Sequence, residues 1–142
     1  MVILQTKSMM LRPCRPDDCA DFIGLERDPE VMRFLNGGYA IDPETDDPQA
    51  TFLRPRGTEH YVWTAPRTAE GAFVGWFCLW PEGERVAELG YRLRRVEWGK
   101  GQASEGAFAL VNWGFASGLY DKVFASTMAV NHGSRRVMEK IG

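Results

Sequence analysis

Histidine and cysteine are scarce in this 142-residue chain, which has two of the first and three of the second. His60 and His132 are thin material for a metal centre, which usually needs three or four convergent ligands. Cys14, Cys19 and Cys78 are odd in number and form no Cys-x-x-Cys pair, which argues against a disulfide framework or a zinc site. They read as reduced thiols of a cytoplasmic protein, and no histidine lies near any of them in sequence. Long apolar runs are also missing, since none approaches the ~20 residues of a membrane helix. Met1-Val2-Ile3-Leu4, followed by Lys7, is too short for a secretory leader. No Gly-x-Ser-x-Gly elbow suggests a Ser-His-Asp triad, and no Gly-Lys-Ser/Thr closes a P-loop. Charge of one sign is not in excess either. The net charge of -2 gives no global bias toward nucleic acid or an anionic membrane, so any anion site must be local. Neither is expected as a partner.

What is present is ordinary for a globular domain: 44% hydrophobic and 25% charged residues. The length fits one domain over residues 1–142. Ser8 to Pro13 reads as a first strand. Pro16-Asp17-Asp18 opens a helix over Asp18 to Arg27, with proline in the first turn and acids at the positive end of the dipole. Ala20, Phe22, Ile23 and Leu25 supply its apolar face. A second short helix from Asp28-Pro29-Glu30 carries Val31, Met32, Phe34 and Leu35 and stops at Asn36-Gly37-Gly38. Tyr39 to Gly57 reads as a loop with one helical turn near Gln49 to Leu53. Three strands follow, His60–Thr64, Ala72–Trp80 and Arg85–Leu93, joined by turns at Thr68–Gly71 and Pro81–Glu84. Turns that short imply antiparallel neighbours. The aromatics Trp63, Phe73, Trp76, Phe77 and Trp80 read mostly as core or sheet cover.

From Gly101 to Gly118 the period becomes helical, with Ala107, Val111 and Phe115 on one face and Phe108 and Leu119 beside it. Lys122–Met128 is another strand, and Asn131-His132-Gly133-Ser134 caps a last helix, Arg135–Lys140. The order predicts an α+β or α/β mix around one sheet, in which Arg85–Leu93 and Lys122–Met128 are parallel across a β-α-β crossover.

The segment richest in chemistry runs from Leu93 to Glu105. A strand ends, a turn with Gly99 and Gly101 follows, and a helix begins. A helix N-terminus offers unpaired N–H groups and partial positive charge, and glycine lets a ligand approach the backbone, so the arrangement suits a phosphate or pyrophosphate. Lys100, Arg94 and Arg95 add positive charge. Such turns are also often purely structural. Ser104 stands where a dinucleotide fingerprint needs its third glycine.

Four segments together resemble the GNAT acetyltransferase superfamily, in the branch of the ribosomal-protein N-acetyltransferases. They are Leu11-Arg12-Pro13 through Asp17-Asp18 together with Asp28-Pro29-Glu30-Val31-Met32, then Glu88-Leu89-Gly90-Tyr91-Arg92-Leu93, Trp98-Gly99-Lys100-Gly101-Gln102-Ala103-Ser104-Glu105, and Asn131 through Gly142. Trp98 stands where the family's cofactor loop usually has Gln or Arg. The resemblance implies a central mixed sheet, mostly antiparallel with one splayed parallel pair, and helices on both faces. It implies acetyl-CoA (coenzyme A) as cofactor and an amine, from a small molecule or a peptide, as acceptor. By the resemblance, the N–H groups of Gly99, Lys100, Gly101, Gln102, Ala103 and Ser104 hold the pyrophosphate. Backbone groups of Leu93, Arg94 and Arg95 hold the pantetheine, and Asn131 bonds the pantetheine or the acetyl region. Asn131 is also explained as a plain helix cap.

Transfer to an amine needs a base for its proton and a group near the departing thiolate. Glu88 is the candidate base, directly or through water, and Ser134 the candidate near the thiolate. Their plainer readings are an exposed strand glutamate and a capping hydroxyl. A module that keeps the fold and binds acyl-CoA without turnover is the alternative function. Family members usually continue past Gly142 with two more strands and a helix. The expectation is therefore that this sequence is a truncated piece of a longer enzyme, or that a second copy covers the open edge of Lys122–Met128 in a homodimer.

Overall fold

The computed structural model describes residues 3–28, 30–31, 60–67 and 71–124. Six strands form one sheet in chain order: β1 (Leu4–Gln5), β2 (Met10–Pro13), β3 (Val62–Pro66), β4 (Phe73–Gly83), β5 (Val86–Leu93) and β6 (Lys122–Phe124). Neighbours are antiparallel up to β5, and β5 and β6 are parallel, with Val86 opposite Lys122 and Glu88 opposite Phe124. Helix α1 (Cys19–Glu26) follows β2, and α2 (Gln102–Ala116) connects β5 to β6. The mixed sheet and its β-α-β unit are as expected from the sequence.

Consecutive side chains of β4 and β5 point to opposite faces, and each face has its own cover. On one face Phe77, Leu79, Ala87 and Leu89 pack with Ala107 and Leu110 of α2. On the other, Val62 and Cys78 pack with Phe22 of α1, whose ring stacks on Trp76 at 5.9 Å. A buried polar knot pins the start of α1 to the sheet. Asp18 accepts two hydrogen bonds from Arg12 (2.9 and 2.7 Å), one from Thr64 Oγ1 (2.7 Å) and one from the Arg15 N–H (2.8 Å). Burial alone pushes the Asp18 carboxyl up, but the bonds from Arg12, Thr64 and Arg15 outweigh it and the net displacement is downward.

Several boundaries differ from the sequence reading. β2 begins at Met10, not Ser8, because Thr6 to Met9 form a turn closed by the Thr6 N–H on the Met9 carbonyl (2.9 Å). That turn leads back to β1, too short to show an alternation in sequence. Pro81 to Glu84 is not the turn. β4 continues through Pro81 to Gly83, and Glu84–Arg85 reverses the chain. Proline is tolerated there because β3 pairs no further along β4 than Cys78 among the described residues, so the missing N–H breaks no ladder bond to β3.

The buried face of α2 also differs. Phe108, Phe115 and Leu119, expected at or beside the packed face, are 55%, 46% and 53% exposed. The buried positions are Gln102, Gly106, Ala107, Leu110 and Gly114. The helix lies too close to the sheet for larger side chains, since a Cβ on Gly106 would meet Phe77 Cζ at 2.3 Å and one on Gly114 would meet Leu79 Cδ1 at 3.1 Å. Among the expected aromatics, Trp63 and Phe77 are buried, whereas Trp80 is exposed. The short helix read after Val31, the loop to Gly57, the strand beyond Phe124 and the Asn131–Lys140 segment lie outside the described residues.

Candidate active site

β5 ends at Leu93 and the chain turns through one short 3-10 turn, Arg95–Glu97, before Trp98. Gly99 and Gly101 then adopt φ of +78° and +76°, a region that L side chains rarely enter. A Cβ at either would have nothing within 4 Å, so backbone conformation rather than crowding calls for glycine there. Gly101 is the N-cap of the 15-residue α2 and supplies no side-chain cap. The first intrahelical bond runs from the Glu105 N–H to the Gly101 carbonyl (3.0 Å). The N–H groups of Gln102, Ala103 and Ser104 therefore have no helical acceptor, and the dipole adds partial positive charge there. Among the described residues Gln102 Oε1 is buried without a hydrogen-bond partner.

Much of the backbone just before the loop is already engaged. The Arg94 N–H donates to the Val74 carbonyl (2.8 Å), the Leu93 carbonyl accepts from Trp98 Nε1 (3.0 Å), and the Arg94 and Arg95 carbonyls accept from the Glu97 and Trp98 N–H groups (2.9 and 3.1 Å). Bonds alternate in direction along an antiparallel strand. With Arg94 bonded toward β4, the backbone groups of Leu93 face the side on which β6 lies.

Two features of the loop escaped the sequence reading. Glu97 is 3% exposed and pairs with Arg67, from the end of β3, while its Oε2 lies 3.7 Å from Lys100 Nζ. Glu105 accepts from the Ser8 N–H (2.9 Å), Ser8 Oγ (2.8 Å) and Thr6 Oγ1, tying the first turn of α2 to the β1–β2 turn. Burial raises the Glu105 carboxyl, but those bonds outweigh it and hold it low. An acid in a helix's first turn is the one sequence signal for the second contact. Arg67 and Glu97 stand 30 positions apart, and nothing in the sequence signals the first.

Glu88 lies on the α1 face of β5, opposite Leu89 as alternation requires. It is half-buried and lines an open cavity of about 270 Å³ with Cys78, Trp80, Glu82 and Gly90. Tyr61 meets Trp80 edge-on at 4.9 Å. Burial pushes the Cys78 thiol up to about 12, so it is protonated near neutral pH and is no nucleophile. All three cysteines are free, as expected. Asn131 and Ser134 lie outside the described residues, so Glu88 is the one expected catalytic side chain whose surroundings are seen. Among the described residues no group of three His, Cys, Asp or Glu could hold a metal ion, and no helix is long and apolar enough to cross a membrane.

Residues 8–142 match the family model of the acetyltransferase (GNAT) domain. The chain is 32% identical over 146 residues to the uncharacterized protein YkkB of Bacillus subtilis (strain 168), covering 98% of this chain and 83% of that protein. It is 30% identical over 151 residues to the FsC-acetyl coenzyme A-N(2)-transacetylase of Aspergillus fumigatus, covering 98% of this chain and 63% of that one. Among solved structures, RimL, the ribosomal L7/L12 alpha-N-protein acetyltransferase in complex with coenzyme A, matches with a TM-score of 0.76 at 15% identity. That match covers 99% of this chain and 82% of RimL. The chain belongs to the GNAT acetyltransferase family. It is an acetyl-CoA-dependent N-acetyltransferase.

Proposed function

We propose that acetyl-CoA lies along the free side of β5 and over the start of α2, and that the acceptor is a primary amine delivered to the cavity beside Glu88. The observation that carries the cofactor reading is the pair of left-handed glycines leading into an uncapped 15-residue helix. That geometry presents several N–H groups and a dipole end to one anion. In this reading the pyrophosphate rests on the N–H groups of Gly99, Lys100, Gly101, Gln102, Ala103 and Ser104, with Lys100, Arg94 and Arg95 lowering its charge and Trp98 beside it. The pantetheine takes the backbone groups still open at Leu93 and Arg95. Asn131 bonds the pantetheine or the acetyl region.

Bound acetyl-CoA supplies a thioester carbon for an amine to attack. Glu88 removes the ammonium proton, directly or through one water, so that the nitrogen lone pair is available. Glu82 and the Trp80 ring favour a cationic acceptor before that proton leaves. Ser134 donates a hydrogen bond to the departing sulfur. The acceptor is an α-amino group of a protein or the amine of a small molecule. RimL's named activity supports the first, and the structure of a spermidine N-acetyltransferase from Vibrio cholerae with CoA and spermine supports the second.

Thermal unfolding with and without acetyl-CoA tests the cofactor site. At ~100 times its dissociation constant the ligand should add about 2.7 kcal/mol to the folded state. Gly101→Glu should abolish that gain, because it puts a side chain at positive φ and an anion at the phosphate position. A folded wild type with no shift refutes the reading. Thiol release against a panel of peptide and small amines then identifies the acceptor.

A further inference from the structure

Trp98 is 47% exposed, yet its indole N–H is fastened to the Leu93 carbonyl at 3.0 Å. An exposed tryptophan on a free rotor would be unremarkable. This one is a large aromatic surface held in one orientation, half in solvent, one residue before the Gly99-Lys100-Gly101 turn. The hydrogen bond fastens the ring to the end of β5 rather than turning it into the core, where Trp63 and Trp113 meet edge-on at 5.2 Å. Its neighbours fit the same surface, for Val96 is 62% exposed and Arg95 is exposed with no ion pair among the described residues. A fixed aromatic surface beside an array of N–H groups and cations suits a ligand with a flat base next to phosphates, because every base offers a π-face. Acetyl-CoA has one such part, its adenosine.

We infer that Trp98 is the stacking platform for the adenine of the acetyl donor, a specificity residue that selects acetyl-CoA over acyl carriers lacking the nucleotide. The inference rests on the cofactor reading above, and its test separates the two. KM and kcat are measured with acetyl-CoA and with S-acetyl-4′-phosphopantetheine, which keeps the thioester arm and a phosphate but has no adenosine. Wild type, Trp98→Phe and Trp98→Leu are compared. Trp98→Leu removes the π-face and should raise KM for acetyl-CoA roughly tenfold, within the range of base–aromatic stacking. KM for the phosphopantetheine donor should stay near its wild-type value, and kcat should hold for both. Trp98→Phe keeps a ring but loses the N–H anchor and should fall between. In parallel, adenosine 3′,5′-bisphosphate should quench wild-type tryptophan fluorescence, and Trp98→Phe should lose that quench, an arm that stands even if the leucine variant does not fold. A ring with only a packing role would change both donors by the same factor, and that result, or no change in either, overturns the platform. A wild type that binds neither donor overturns the cofactor reading and the platform with it.

Discussion

Gly106→Ala should destabilise the protein although alanine is the better helix former. Replacing a glycine inside a helix gains about 1 kcal/mol in propensity. Against this, the new methyl would sit 2.3 Å from Phe77 Cζ and within 2.8 Å of both Cε atoms. Phe77 is fully buried and lies against Tyr91 at 5.9 Å, so its ring has no vacant space to enter. Relief then requires α2 to lift from β4, and overpacking of this kind costs about 1–3 kcal/mol, occasionally more. A net loss of about 1 kcal/mol is expected, or a fall of about 3 °C in Tm for a domain of this size. Gly24→Ala is the control. It is the same substitution inside α1, where a Cβ would have nothing within 4 Å and φ is ordinary. It should gain roughly 0.5–1 kcal/mol. Urea and thermal unfolding of both variants measure the contrast. If Gly106→Ala is as stable as wild type, or if both variants shift the same way, the close approach of α2 to β4 is not what selects glycine.

Asp18→Ala should cost about 3–5 kcal/mol, because it leaves the Arg12 guanidinium without its partner in the knot at the start of α1; chemical denaturation reads it directly. The Asp18 carboxyl is held below its ordinary value when folded, so its contribution is complete above about pH 4 and is lost as pH falls through the lowered folded value. Wild type should therefore lose stability with acid in that range, and Asp18→Asn should have a flatter pH–stability curve there; parallel curves would disprove the assignment. Glu88→Gln, which keeps shape and removes basicity, should lower kcat by about 100-fold with little change in KM for acetyl-CoA. An unchanged kcat with a good acceptor would remove Glu88 from the proposed mechanism.

The sequence was legible where local chemistry is decisive. Two glycines bracketing Lys100 before a helical run signal a turn that uses backbone conformations open mainly to glycine, and the observed loop has both at positive φ. Alternation in β4 and β5 was equally plain, since Phe77 and Cys78 go to opposite cores. It failed where a large side chain outweighed a small one in the pattern. Ala107 and Val111 do pack on the core as expected, but Phe108 and Phe115 drew the apolar face too far round α2, and its centre is set by Gly106 and Gly114, which contribute nothing to an apolar periodicity but permit the close contact. It was silent where distant residues meet. Thr64 reaches Asp18 across 46 positions and Arg67 reaches Glu97 across 30, and neither pairing has a signature in one sequence.

The placement of chemistry in this domain follows from β5 having three sides. Its Leu89 and Leu93 side chains enter the core beneath α2, which fixes where the helix begins and so where its unpaired N–H groups lie. Its Glu88 side chain and the bare backbone of Gly90 take the other face and line the cavity next to Trp80 and Glu82. Its remaining side is the backbone edge toward β6, whose described pairing stops at Glu88 opposite Phe124 while β5 runs on to Leu93. A period of two keeps the faces apart, and the hydrogen-bonding direction, perpendicular to both, supplies the edge. In the proposed reading the donor lies on that edge and the acceptor on the Glu88 face, so that both reach β5 near Glu88. An insertion of one residue in β5 before Glu88 would exchange the two faces, putting a carboxylate beneath α2 and an apolar side chain in the cavity. Binding of acetyl-CoA and transfer from it would therefore be lost together, although neither the glycine loop nor the glutamate had been changed.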